Sequence, residues 1–428
     1  MAFREEKIRS VIQSFVLDRE TLQETAAAFR YDIEKGLTGS PESSLRMLNA
    51  YVGLPSGQET GEYIALDFGG TNVRALRIRL LGKGRLEIVR KAARPLQRTG
   101  VYDYVSAGSD AAALFGFLAQ LIDEVIDGDR TQMYRLGHTF SFPSEQTTIN
   151  NARLITWTKE FATSGVEGQV VNDLLQDALQ RIGAVNVQPV AVINDTVAVL
   201  LAAAYKYPGT SIGSIYATGH NTCYFETQAG KAARPVVINM ESGAFSKVLP
   251  NVYDHQIDAA SEKPGEQPLE KMVSGRYLGE LFGAALADLL EEHGSYGFTG
   301  IDMSAMLLDS SAGCEVVCGL IAARTGHMLT PEEGQRIREL AAAIVARSAR
   351  LVTATYVGTL WHLQRDGIMP VQHIAVDGSL YEKMPLVQEN IRQALSDLLG
   401  EDAGKIDTVL ENGGSGVGAA LAAAMVNP

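Results

Sequence analysis

Two short segments of this 428-residue chain place a carboxylate at the end of a buried-looking strand, beside small or amide residues. The first is Tyr63-Ile-Ala-Leu-Asp67-Phe-Gly69-Gly70-Thr71-Asn72-Val-Arg74: an apolar run ends in Asp67, turns through two glycines and resumes as an alternating strand. Glycines at such a bend let the backbone approach a ligand, and bare N–H groups there can face phosphate oxygens. Asp67 is placed to hold a cation or a phosphate-bound metal. A plain β-hairpin with a Gly-Gly-Thr-Asn turn would show the same pattern. The second segment is Val192-Ile193-Asn194-Asp195-Thr196. A carboxylate just past a buried strand is well placed to accept a hydroxyl proton. Phosphoryl transfer needs alignment, charge neutralisation and a destination for that proton. Asp195 would also serve as the N-cap of the apolar helix that follows, and one residue can do both.

The elements that must hold these residues repeat. Ser211-Ile-Gly-Ser-Ile-Tyr-Ala-Thr218-Gly219-His220-Asn221 is again an apolar strand running into a polar, glycine-bearing turn and a second alternating strand. Both turns contain Gly-x-Asn, as Gly70-Thr71-Asn72 and Gly219-His220-Asn221. The repetition predicts two similar α/β domains, each contributing a phosphate-gripping hairpin to a nucleotide cleft. This resembles the actin, Hsp70 and sugar-kinase superfamily. Elsewhere, residues 1–50 read as helical, with Leu22, Ala26, Phe29 and Ile33 in one stripe. Helices are predicted over Ala111–Ile126, from about Val170 to Ile182, and through 315–363. Strands are predicted over Leu136–Phe142 and Pro189–Ile193, and a strand-to-turn passage at Ile374–Ser379. A glycine turn near Gly413 opens the last helix.

Composition sets bounds. The length favours two domains. Hydrophobic residues make up 46% and charged residues 20%, the balance of a globular protein. A net charge of −13 argues against nucleic acid or an anionic membrane surface as partner. No apolar run is read as reaching membrane-spanning length, and the start reads as an amphipathic helix rather than a secretion signal. Three cysteines, Cys223, Cys314 and Cys318, fit a reducing, cytoplasmic setting and are read as core residues, since no His or Cys cluster completes a metal site. Gly414-x-Gly416-x-x-Ala419 fits the loose dinucleotide fingerprint, but that unit needs a further strand and acidic residue downstream, and none is available. The chain contains no Walker A sequence, nor the motif set of a protein kinase.

Several segments together resemble the hexokinase family. Thr139-Phe-Ser141-Phe-Pro-Ser-Glu-Gln146 is similar to its signature, Trp157-Thr158-Lys159-Glu-Phe161 to its Trp-Thr-Lys-Gly-Phe, and Asn194-Asp195-Thr196 to its catalytic Asn-Asp-Thr. Asn239-Met-Glu241-Ser-Gly-Ala-Phe245 and Pro264-Gly-Glu-Gln267-Pro-Leu-Glu270-Lys-Met-Val-Ser-Gly resemble two further blocks. The likeness runs in order from about residue 15 to 426 and is to the eukaryotic-type, single-unit form. The Cys-rich zinc motif of the ROK sugar kinases is absent.

That resemblance implies an α/β, two-domain actin-like ATPase fold of duplicated RNase H-like domains with an interdomain cleft. It implies a small domain of 56–193 plus 411–428 and a large domain of 1–55 plus 194–410. The activity implied is transfer of the terminal phosphoryl group of ATP to the 6-hydroxyl of a hexose, with glucose the leading substrate and Mg²⁺ the metal. A sugar-binding regulator that kept the fold without transfer is the alternative. Carried across, Asp195 is the base and Lys159 the second catalytic residue. Ser141, Thr158, Lys159, Asn194, Asp195, Asn221, Glu241, Gln267 and Glu270 line the sugar site. Amides, hydroxyls and carboxylates suit a hexose, because together they satisfy its hydroxyls as donors and acceptors. Asp67 (also the metal ligand), Gly69, Gly70, Thr71, Asn72 and Arg74 form the first phosphate motif, and Thr218 and Gly219 the second. Asp377, Gly378, Gly414, Ser415 and Gly416 lie toward the adenosine. The chain departs from the family at Glu160 and Ser242, which bear on hexose preference, and at His220 and Val417, which bear on nucleotide strength.

Overall fold

The structure is a computed structural model that describes residues 5–70, 72–158, 161–227, 235–364 and 367–426. By compactness the chain divides into two units. The first comprises Met1–Met47, Ser214–Thr222 and Met240–Leu410, and the second Leu48–Gly213, Cys223–Asn239 and Glu411–Pro428. The expected domain change at 193/194 differs from this division, because the helix Asp195–Lys206 belongs with the second unit. That helix is buried on nearly every side. Such a helix must sit inside a core, and here it packs with the C-terminal helix Gly414–Met425: a Cβ on Gly418 would come within 2.1 Å of the Ala198 carbonyl oxygen.

The strands of the second unit's main sheet are β2 (Thr60–Phe68), β3 (Asn72–Gly82), β4 (Arg85–Pro95), β7 (Tyr134–Phe140) and β10 (Val187–Ile193). Two short ladders, β5 (Gln97–Arg98) with β6 (Tyr102–Asp103) and β8 (Ser144–Glu145) with β9 (Arg153–Leu154), lie between them in sequence. The sheet order is β10-β7-β2-β3-β4. β2, β3 and β4 form an antiparallel meander, and β7 and β10 add on in parallel. Counted along the chain this is 3-2-1-4-5. A second sheet runs β1 (Leu48–Asn49), β13 (Val236–Asn239), β12 (His220–Glu226), β11 (Thr210–Tyr216), β14 (Gln372–Asp377), β15 (Ile406–Leu410). Setting β1 aside, its order from β11 is again 3-2-1-4-5, with β14 and β15 parallel. The repeated hairpins of the sequence thus open two sheets of one topology.

Strand alternation sorts the second unit's side chains onto two faces. Ile64, Leu66 and Phe68 enter one core with helices α3 (Ala111–Ile126) and α4 (Val171–Arg181). Ala65 enters the other, with α5 (Asp195–Lys206) and the C-terminal helix. In the first unit, α2 (Arg19–Leu37) buries its predicted stripe completely, each of Leu22, Ala26, Phe29 and Ile33 being 0% exposed. It lies against α11 (Pro331–Leu363), where the missing Cβ of Gly358 admits the Ala26 carbonyl. One expectation needs correcting. By length and composition α11 is apolar enough to cross a membrane, although 78% of its 18-residue apolar segment is buried in the fold. Its apolar length serves as core, touched on several sides.

One core residue predicts a pH response. His138 is fully buried, stacks at 6.1 Å on Phe68, and neither ring nitrogen has a hydrogen-bond partner. Burial without a partner disfavours the charged ring and lowers its pKa to about 3. The unfolded chain therefore binds more protons below pH 6.5, so this contribution is complete above pH 6.5 and is lost as the pH falls from there toward 3. Each such histidine removes about 1.4 kcal/mol per pH unit. His138→Phe should flatten the fall in melting temperature between pH 6.5 and 4.5. Equal slopes for variant and parent would show that the ring is not held neutral.

Candidate active site

In the second unit the β2–β3 hairpin and the start of α5 supply one constellation. Asp67, one residue before the end of β2, lies opposite Arg74 in the antiparallel register, and its Oδ2 pairs with the Arg74 guanidinium at 2.6 Å. Its Oδ1 accepts the Thr139 hydroxyl at 2.9 Å, because β7 runs beside β2 with Thr139 opposite Asp67. Sequence reasoning did not single out Thr139; only the strand register reveals it. Asn194, not Asp195, is the N-cap of α5, accepting the Thr196 N–H at 2.9 Å. Asp195 is the first helical residue. Its Oδ1 takes the Thr196 N–H at 2.7 Å and its own N–H donates to Ser141 Oγ at 3.2 Å. Among the described residues, its Oδ2 takes no hydrogen bond.

Asp67, Gly69, Gly70, Asn72, Arg74, Ser141, Asp195 and Ser415 line a single cavity of about 290 Å³. Five residues of the first expected phosphate motif and the expected base therefore share one space. The two glycines differ in their surroundings. A Cβ on Gly69 would lie 3.3 Å from Ser141 Oγ, whereas one on Gly70 would meet nothing within 4 Å among the described residues. Gly414 and Gly416, expected toward the adenosine, have no open side: a Cβ would come within 2.8 Å of the Glu411 side chain and 2.2 Å of Leu76, respectively. These two glycines allow close packing of the last helix, and Ser415 between them reaches the cavity. Thr158 follows Trp157, which is anchored by its indole N–H to the Thr163 carbonyl at 2.8 Å and stacked on Phe161. Thr71 and Lys159, with Glu160, lie outside the described residues.

In the first unit the turn after β11 carries Thr218 and Gly219, and helix α8 (Gly275–Leu290) starts against it, Gly275 N–H reaching the Ala217 carbonyl at 2.8 Å and Arg276 N–H that of Thr218 at 3.2 Å. Asp377 ends β14 and Gly378 follows at φ 138°, where a Cβ would lie 2.3 Å from the Tyr216 carbonyl oxygen. Only glycine fits there. Thr218, Gly219, Asp377 and Gly378 thus sit around the same backbone.

The polar cluster beside that turn contains Asn221, Glu241, Gln267 and Glu270. Asn221 Oδ1 accepts the N–H groups of Thr222 at 2.7 Å and Ser242 at 3.1 Å, and its amide donates to Glu241 Oε1 at 3.4 Å. Glu270 Oε2 accepts the His220 N–H at 2.9 Å. Glu241 and Gln267 both have left-handed backbones, φ 53° and 54°. Non-glycine residues hold such conformations at a cost of about 1–3 kcal/mol and cluster at functional sites. Gly243 lies beneath, where a Cβ would come within 2.5 Å of Gln267 Oε1. No sequence signal marks those backbone conformations.

Of the departures from the family pattern, the three among the described residues face inward. Ser242 and His220 are buried, and Val417 is 7% exposed in the core. The His220 ring packs edge-on to Tyr216, and burial lowers its pKa to about 4. Among the described residues, no cluster of three or more His, Cys, Asp or Glu side chains is arranged to hold a metal ion. Cys223 and Cys314 are buried and Cys318 partly so, all as free thiols.

Comparison with known proteins follows both halves of this arrangement. Two family models, each described as hexokinase, match residues 7–205 and 211–425. The chain is 34% identical over 443 residues to Hexokinase-1 of Schizosaccharomyces pombe, covering 96% of this chain and 89% of that protein. A crystal structure of a hexokinase superposes with a TM-score of 0.88 at 32% identity over 99% of both chains. A Schistosoma mansoni hexokinase complexed with glucose superposes at 0.80 with 29% identity, over 98% of both. With its repeated sheet topology and a likeness that runs the length of the chain, the protein belongs to the hexokinase family, the ATP-dependent hexose phosphotransferases of the two-domain actin-like fold.

Proposed function

We propose that this hexokinase acts on the 6-hydroxyl of glucose and that Asp195 takes the hydroxyl proton as the terminal phosphoryl group of ATP is transferred. The observation that carries the assignment is the cavity in which Asp195 and Ser141 meet Asp67, Gly69, Gly70 and Asn72. A proton acceptor and a phosphate-gripping hairpin within one small space meet the alignment requirement of phosphoryl transfer. Asp195 keeps Oδ1 on Thr196 and so presents Oδ2 to the substrate hydroxyl. Ser141 holds the Asp195 backbone, fixing where that oxygen points.

The phosphates lie along the β2–β3 turn, with Gly70 leaving room for them. Asp67 is the residue that would hold Mg²⁺. A single carboxylate fits, because this ion keeps waters and completes its shell with substrate phosphates rather than with an all-protein cage. When bound, the ion neutralises charge on the terminal phosphates. By the family likeness, Asn221, Glu241, Gln267 and Glu270 are assigned to the sugar hydroxyls, and Thr218, Gly219, Asp377 and Gly378 to the nucleotide. Lys159 and Thr158 complete the sugar contacts. The reading requires neither nucleic acid nor a membrane, and free thiols favour the cytoplasm.

A hexose panel with ATP and Mg²⁺ tests the substrate assignment. Glucose should give the highest kcat/KM. A panel in which another hexose is preferred by tenfold or more, on the order expected when a site built to hydrogen-bond one hydroxyl pattern meets another, would replace glucose in this reading.

A further inference from the structure

We propose that Lys271 and Asp258 are a positioning pair that sets Gln267 and Glu270 for the hexose, an inference that rests on the sugar assignment of those two residues. Helix α7 (Pro268–Val273) begins directly after Gln267, which has a left-handed backbone and makes no side-chain cap bond. Such a conformation persists only where the surroundings fix it. The fixing comes from behind. Lys271 is 5% exposed and donates its backbone N–H to the Gln267 carbonyl at 3.1 Å. Its ammonium group donates to Asp258 Oδ1 at 2.5 Å and to the Lys263 carbonyl at 2.7 Å. Asp258, at the end of α6 (Val252–Ala260), also accepts the Gly265 N–H at 3.0 Å.

One ion pair therefore clasps the turn 263–267, which leads into Gln267 and its functional side-chain end. On that end Gln267 Oε1 lies over Gly243, and the β-carbon of Glu270 lies over the same glycine, where a Cβ would be 3.1 Å away. Glu270 shares the short helix with Lys271, so both sugar residues move with the pair. A lysine this buried is strongly committed to its partner, because breaking a buried pair strands the remaining charge.

Steady-state kinetics of Lys271→Met and Asp258→Asn, with glucose and ATP varied in turn, tests this. The KM for glucose should rise on the order of tenfold, as small misplacements of substrate contacts do. The kcat should stay within roughly threefold and the KM for ATP should be unchanged, the pattern of lost uniform binding. In a Gln267→Ala background, Lys271→Met should raise the glucose KM by less than it does in the parent, because one of the two residues it acts through is gone. A lowered melting temperature with an unmoved glucose KM would mean that the pair is only structural and would overturn the proposal, as would full additivity with Gln267→Ala. Should Lys271→Met fail to fold, Asp258→Asn, on a side chain 34% exposed, carries the same test. If Gln267→Ala and Glu270→Ala both leave the glucose KM unchanged, the sugar assignment itself falls. If they raise it while the pair variants do not, only the positioning role falls.

Discussion

Asp195→Ala is expected to lower kcat by roughly 10²–10⁴-fold, about 3–5 kcal/mol in barrier, the range for a positioned acid–base group. Glucose affinity should fall much less than turnover. The structure makes this substitution cleaner than the sequence implied. The cap of α5 is Asn194, which keeps its hold on the Thr196 N–H when the Asp195 carboxylate is removed. Loss of the second acceptor on that N–H should cost about 1 kcal/mol of stability at most. A folded variant with near-parental kcat would show that Asp195 merely supports the helix start. A variant that fails to fold would be replaced by Asp195→Asn, which retains the Oδ1 acceptor and removes the base.

Gly70→Val should raise the KM for ATP on the order of 10–100-fold while glucose binding alone survives. The argument depends on the empty space at that position. Among the described residues nothing lies within 4 Å of a Cβ there, so a loss in a folded variant is charged to whatever approaches from the cavity. Asp67→Ala should likewise impair ATP–Mg²⁺ use, but it also strips partners from Arg74 and Thr139 and is the less clean probe. Calorimetry would decide both. Retained glucose affinity with weakened nucleotide use is expected, and lost glucose affinity in a folded Gly70→Val protein would overturn the phosphate assignment.

Much of the framework was legible because it rests on local periodicity. The helix Ala111–Ile126 has the bounds its apolar spacing predicts, and both Gly-x-Asn turns join strands that neighbour each other in a sheet. Strand ends were less legible: β7 spans Tyr134–Phe140 where 136–142 was expected, since its extent is set by pairing with β2 rather than by its own residues. The C-terminal glycines illustrate a second limit. Gly414 and Gly416 read as lying toward the adenosine, yet their missing side chains make room for Glu411, about a helical turn away, and Leu76, remote in sequence. Of the expected site residues, eight from separate segments line one cavity, a convergence the motif order allowed. The left-handed backbones of Glu241 and Gln267, the Thr139–Asp67 bond and the Lys271–Asp258 clasp depend on tertiary register, which a single sequence does not carry.

The account's central claim is that the chain moves the terminal phosphoryl group of ATP onto the 6-hydroxyl of glucose with Asp195 as proton acceptor. The most direct measurement is phosphorus NMR of the purified protein with ATP, Mg²⁺ and either glucose or 6-deoxyglucose, run beside Asp195→Ala. Glucose 6-phosphate should form in step with ADP for the parent protein, while 6-deoxyglucose gives no sugar phosphate and Asp195→Ala slows formation by at least about 100-fold. ADP released without sugar phosphate, or a phosphorylated product from 6-deoxyglucose at a comparable rate, would contradict the claim.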